Sequence, residues 1–186
     1  MTGTTEAAAT EAAAVEAATT QAATTHGGAT LTDAISELER QEHELVLDSF
    51  DHADAWRLGS RITAIAQEAG HAVGIDIRRP GLVLFRAALP GITPDQDTWI
   101  ARKAAVVLRM ENSSALVDAR LSAAGIDAAA VGWLGADYAV TGGSFPIRVR
   151  GVGVVAAATA SGLSSQEDHD LIVEGLRAHL AEGANR

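Results

Sequence analysis

The sequence contains no cysteine and only one lysine, Lys103. Without cysteine there is no disulfide framework, no thiolate nucleophile and no cysteine metal site, which fits a reducing compartment. Positive charge is scarce as well. Lys and Arg number 14 against 24 Asp and Glu, a formal charge of −10, which excludes the basic footprint of a non-specific nucleic-acid binder. No apolar run approaches the ~20 residues of a membrane span. The start has neither a basic n-region nor an apolar h-region, so it does not read as a secretory signal. A soluble, cytoplasmic chain without a membrane partner is the expectation. No G-x-S-x-G, H-E-x-x-H or P-loop occurs, so no catalytic constellation is recognisable and no enzymatic activity is assigned.

What is present divides into a tail and one domain. Residues 1–29 are built from Ala, Thr, Glu and Gly with no apolar stripe to bury, and read as a disordered Ala/Thr-rich tail. Residues 30–183 read as a single domain and 184–186 as a flexible C-terminus. Order begins near Thr30 or Thr32 with a helix whose face is Ile35, Leu38 and Leu45. Glu44 to Phe50 alternates as a short edge strand. Asp51 caps a helix striped by Leu58, Ile62, Ile65, Ala66 and Ala69, with Gly70 placed to end it. Val73–Arg79 and Leu82–Leu89 form a hairpin across Pro80-Gly81. Alternation places Val73, Ile75 and Ile77 on one face, Asp76 and Arg78 on the other.

Thr93, Pro94 and Gln96 give the strongest helix start in the chain, a capping box with proline at the first helical position. The buried stripe of that helix is Ile100, Ala104, Val107 and Leu108, with Arg102, Lys103 and Arg109 off it. Ser113 to Ala124 makes a further helix ending at Gly125. Residues 127–141 read as a short helix and an excursion. Ser144–Val149 and Val152–Ala160 form a second hairpin across Arg150-Gly151. Ser164 and Glu167 cap the last helix. Two hairpins separated by helices predict one antiparallel sheet with helices on its faces, a layered α/β domain.

Three features carry chemistry. Gly151-Val152-Gly153-Val154-Val155-Ala156 matches G-x-G-x-x-A, but a strand follows the glycines where a dinucleotide site needs a helix, so the match is assigned to a tight hairpin. Asp168-His169 lies in the first turn of the last helix, with His169 at the edge of the buried stripe; a boundary histidine and a ligand or acid–base group are both open. Asp76, Arg78 and Arg79 with Arg102, Lys103, Arg109 and Arg148 form a cation-rich set. These hold either a small anionic ligand or one another's acids, within the monomer or across an oligomer interface.

The segments IDIRR (75–79), FRAALPGITPDQDTWIARK (85–103), GGSFPIRVRGVGVV (142–155) and SGLSSQEDHDLIVEGL (161–176) resemble the haem-degrading-domain family, in its cytosolic subgroup. Before Ser113-Ser114 this chain has Glu111-Asn112, where the family pattern has a histidine. The resemblance implies a profilin-like α–β–α sandwich, a five-stranded antiparallel sheet, assembly into homo-oligomers, and haem as the cofactor. Positions carried over by it as ligand-binding are Asp76, Arg78, Arg102, Lys103, Arg148, Asp168 and His169, together with Trp99. In such a site Arg102, Lys103 or Arg148 would meet propionates and His169 would be the metal ligand. The aromatic content of 4% is lean for a porphyrin pocket. The other reading is a non-enzymatic homo-oligomeric interaction protein with no cofactor.

Overall fold

The structure of the protein, a computed structural model, describes residues 30–183. The expectations for 1–29 and 184–186 lie outside the described residues. Helix α1 spans Leu31–Glu44, strand β1 Val46–Leu47, α2 His52–Glu68, β2 Gly74–Arg79, β3 Leu82–Ala88, α3 Pro94–Met110, α4 Ser114–Ala124, β4 Ser144–Val149, β5 Gly153–Ser161 and α5 Ser165–Gly183. The expected order of elements is present. The stretch expected to hold a short helix, 127–141, forms turns instead. It packs Ala128 and Leu134 against Val106, Val117 and Leu121.

The five strands lie in the order β1-β4-β5-β2-β3. Pairs β2–β3, β2–β5 and β4–β5 are antiparallel. The sheet is not wholly antiparallel, because β1 runs parallel to β4, pairing Val46 with Arg148 and Leu47 with Val149. No hairpin joins these two strands, so no tight turn dictates their relative direction. The glycine match resolves as expected. Gly151 (φ 74°) turns the hairpin, and Gly153 opens a nine-residue strand.

Each sheet face buries a different chemistry. One face presents Ile75, Ile77, Phe145, Ile147, Ala158 and Ala160 to Leu58 and Ile62 of α2 and Ile172 and Leu176 of α5, forming the main apolar core. Glycines let α2 pack closely on both β3 and α5. A Cβ at Gly59 would enter the Phe85 ring, and one at Gly175 would enter Ile62. The other face carries a polar row, Ser144–Thr159–Asp76–Arg86, in register across β4, β5, β2 and β3. Helix α3 covers this face and packs Ala104 and Val107 on Ala157. Lys103 is not off the buried stripe of α3 as expected, being 4% exposed. With Ile100, Ala104 and Val107 it completes an i, i+3, i+4, i+7 face, and an acid awaits it there.

Candidate functional site

The N-terminus of α5 forms as its sequence predicts. Ser164 N–H and Oγ both donate to Glu167 Oε2, and Glu167 N–H donates back to Ser164 Oγ. This cap directs Asp168 inward. Its Oδ2 accepts from Lys103 Nζ at 2.8 Å and its Oδ1 from Leu163 N–H at 3.1 Å. Lys103 also reaches Ala160 O at 3.4 Å. Both side chains of the pair are almost wholly buried, so each charge depends on the other. Burial pushes the Asp168 carboxyl up, while the Lys103 ammonium beside it pulls it back. Gly143 (φ 123°) makes room for the pair. A Cβ there would lie 2.8 Å from Lys103 Nζ, 2.8 Å from Asp168 Cβ and 2.7 Å from Ala160 O.

Beneath α3 the polar row is internally satisfied. Ser144 Oγ and Thr159 Oγ1 share a hydrogen bond of 2.8 Å. Ser114 Oγ accepts from Ser144 N–H at 3.1 Å. Asp76, fully buried, accepts from Arg78 Nε at 2.5 Å and Nη2 at 2.9 Å, and from Arg86 Nη1 at 3.4 Å. Arg86 pairs in turn with Asp97. This bidentate Arg–carboxylate geometry is the strong form of the interaction. It leaves the Asp76 carboxylate fully engaged.

A third buried carboxylate is held at the start of α4. Glu42, 7% exposed, reaches across from α1. Its Oε1 accepts from Ser113 N–H at 2.7 Å, its Oε2 from Asn112 Nδ2 at 2.9 Å, and Arg148 Nη2 stands 3.9 Å away. Ser113 caps α4 through Leu116 N–H, so the carboxylate sits at the positive end of a helix. Glu111, left-handed at φ 53°, closes α3, and its carbonyl holds Arg148 at 2.6 Å. One residue before Glu42, Gln41 Oε1 meets His169 Nε2 at 2.8 Å. His169 is 2% exposed and tilted against Phe145, with ring centroids 5.8 Å apart. It is therefore a core histidine, not a boundary one. Burial holds its imidazole below the usual range, and Arg177 adds to that while Asp170 opposes it.

The seven residues expected to bind a ligand thus fall in five places. Lys103 and Asp168 pair between α3 and α5, while His169, next in sequence, faces Gln41 and Phe145. Asp76 and Arg78 pair under the far end of α3. Arg148 stands at the α4 cradle. Arg102 lines an open depression of about 440 Å³ with Asp97, Thr98, Ala101 and Asp137. Trp99 is on the surface with Nε1 bonded to Asp95. Gln41, Glu42, Asn112 and Ser113 were not among the expected residues. Glu42 falls at helical spacing with Ile35, Leu38 and Leu45, the face read as apolar, but its charge within the polar run QEHE masked that position.

The fold is a layered α/β domain, a five-stranded mixed sheet between helices, that buries the Glu42 carboxylate against the Ser113 N–H and the Asn112 amide with Arg148 3.9 Å away. The chain belongs to the family described as haem degrading protein HbpS-like, whose model matches residues 50–177. It is 48% identical over 155 residues to a UPF0303 protein of Streptomyces coelicolor, covering 83% of this chain and 98% of that one. Among solved structures it is similar to the Ybr137w protein, with 32% identity, a TM-score of 0.74, and coverage of 81% of this chain and 89% of that one. The fold is also that of the PduOC:Heme complex, with 17% identity, a TM-score of 0.60, and coverage of 70% and 94%.

The residues present do not fit haem in this arrangement. The imidazole of His169 faces Gln41, Lys103 is committed to Asp168, and the cradle beside Arg148 is filled by Glu42. Two open depressions among the described residues, of about 510 and 440 Å³, are lined by neither His169 nor Arg148. Among the described residues no group of three or more His, Cys, Asp or Glu is placed to hold a metal ion. No described helix is long and apolar enough to cross a membrane.

Proposed function

We propose that this domain is a non-catalytic binding module for a small anionic ligand that presents a carboxylate. One observation carries the reading: the Ser113 N–H, Asn112 Nδ2 and Arg148 already hold a carboxylate, that of Glu42, almost wholly out of water. Buried carboxylates need such donors, and each charged hydrogen bond contributes about 1.5–3 kcal/mol. Haem belongs to the class through its propionates, which is how the family description bears on this chain. The test is a titration of the full chain with haemin and with iron-free protoporphyrin IX, beside Arg148→Ala. Saturable one-to-one binding that weakens by up to about fivefold in the variant is expected, because Arg148 stands 3.9 Å from the carboxylate as a partly exposed ion pair. Unsaturable binding, or equal affinity in the variant, sinks the proposal.

A second reading, a homo-oligomeric interaction protein without a cofactor, is favoured by strand β3. It ends the sheet and exposes Leu82 by 43% and Val83 by 50%. Trp56, 65% exposed, stands edge-on to Phe85 of the same strand. A seven-residue edge strand whose one charge, Arg86, is tied to Asp76 and Asp97 invites pairing. Mass in solution for the wild type and Val83→Lys tests it: an assembly that falls apart in the variant is expected, and a wild-type monomer rules it out.

A further inference from the structure

Helix α1 stands apart from the other described helices in what it buries. Its only buried residues are Gln41 and Glu42, and it gives no side chain to the three hydrophobic clusters. Ile35 and Leu38, expected to form its apolar stripe, are only half-buried. The whole helix lies outside the span matched to the family, 50–177. It is held by polar contacts: Gln41 to His169, Glu42 to the α4 cradle, and Glu39 to Arg120 at 2.8 Å on the surface.

These contacts have ligand chemistry. A carboxylate occupies an anion cradle, and an amide oxygen accepts from the Nε2 edge of the His169 imidazole. The chain just beyond the helix is anchored separately, by Leu45 and Leu47 in the main core. Separation of α1 at Glu44 therefore leaves that core intact. It would uncover His169, the Ser113 N–H, Asn112 and Arg148 together, on the domain the family model covers.

We propose that α1 is a displaceable latch, with Gln41 and Glu42 standing where an imidazole-directed group and a carboxylate of one small ligand go when the helix lifts. The inference rests on the anionic-ligand reading above and adds what regulates that site. It also accounts for the misfit of haem to the closed arrangement. A site closed by a latch binds with its intrinsic affinity reduced by the open fraction, so loosening the latch tightens binding.

The probe is haemin, which carries both carboxylates and a centre that an imidazole ligates, titrated into full-length protein and read by its Soret absorbance. Gln41→Ala/Glu42→Ala is expected to bind at least about tenfold tighter than wild type, from the larger open fraction. Adding His169→Ala to that pair should abolish the gain. Glu39→Ala, which cuts only the surface tether to Arg120, should shift affinity the same way by a smaller factor. It keeps the test available where the double variant fails to fold. Wild-type-like haemin affinity in folded latch variants overturns the latch and leaves the binding reading standing. No saturable binding in any variant overturns both.

Discussion

The Lys103–Asp168 pair allows the strongest perturbation to be worked through. Lys103→Met keeps an unbranched stem in the slot beside Gly143 and removes only the ammonium. The Asp168 carboxylate, its side chain 2% exposed, then keeps the Leu163 N–H bond but has no counter-charge. Breaking a buried pair from one side costs about 3–5 kcal/mol, because a charge is left unpaired in the interior. For a domain of this size that lowers the melting temperature by roughly 10 °C. Removing both charges, as Lys103→Met/Asp168→Leu, should recover most of the loss. The deficit also has a defined pH sign. Burial already pushes the carboxyl up, and without Lys103 that push is unopposed by any ammonium. A carboxyl raised in the fold above its unfolded value of about 3.9 favours the folded state while protonated, and loses that as pH rises through the folded value. The Lys103→Met deficit therefore shrinks toward acid pH. Urea unfolding of the wild type and both variants at pH 7 and pH 5 measures it. A loss below about 1 kcal/mol at pH 7, the range of an exposed pair, or a deficit that grows toward acid, refutes the reasoning.

Further outcomes follow from single residues. Gly143→Ala should fail to give a stable fold by circular dichroism, since its Cβ meets Lys103 Nζ and Ala160 O at a φ of 123°. Gly175→Ala, which drives a methyl into Ile62 at the α2–α5 contact, should cost about 1–3 kcal/mol in urea, as overpacking does. Asp51→Ala removes a two-way capping box with Asp54 and should cost about 1 kcal/mol. His169, held low by burial, leaves the unfolded chain to take up the proton first. Its contribution is thus present above about pH 6.5 and lost as pH falls below that. Urea midpoints from pH 7.5 to 5.5 should drop more for the wild type than for His169→Leu.

The architecture was legible where local chemistry decides it. Thr93-Pro94 with Gln96, Ser164 with Glu167, and Gly125 fixed helix ends that the structure reproduces. The alternation of Ile75, Asp76 and Ile77 separated the apolar face from the polar one. The direction of β1 was not legible, because two residues paired to a strand a hundred positions away carry no local signal. Lys103 was misplaced for a similar reason. Its charge outweighed its position on the helical stripe until the acid 65 residues later came into contact. The α4 cradle was hidden more deeply, since Glu42 is a charged residue among charged residues and its partners, Asn112, Ser113 and Arg148, come from two other parts of the chain. The cation-rich set divides in the fold: Arg78, Lys103 and Arg148 pair with acids and Arg109 lies over the Tyr138 ring, while Arg102 has no ion pair among the described residues.

Whether Glu42 and an external carboxylate compete for one cradle is tested most directly by amide hydrogen exchange along residues 31–44, with and without haemin. Exchange that speeds up in α1 when haemin binds, while the amides of β5 stay protected, is the expected result. Amides of α1 that slow or stay unchanged under saturating haemin contradict it.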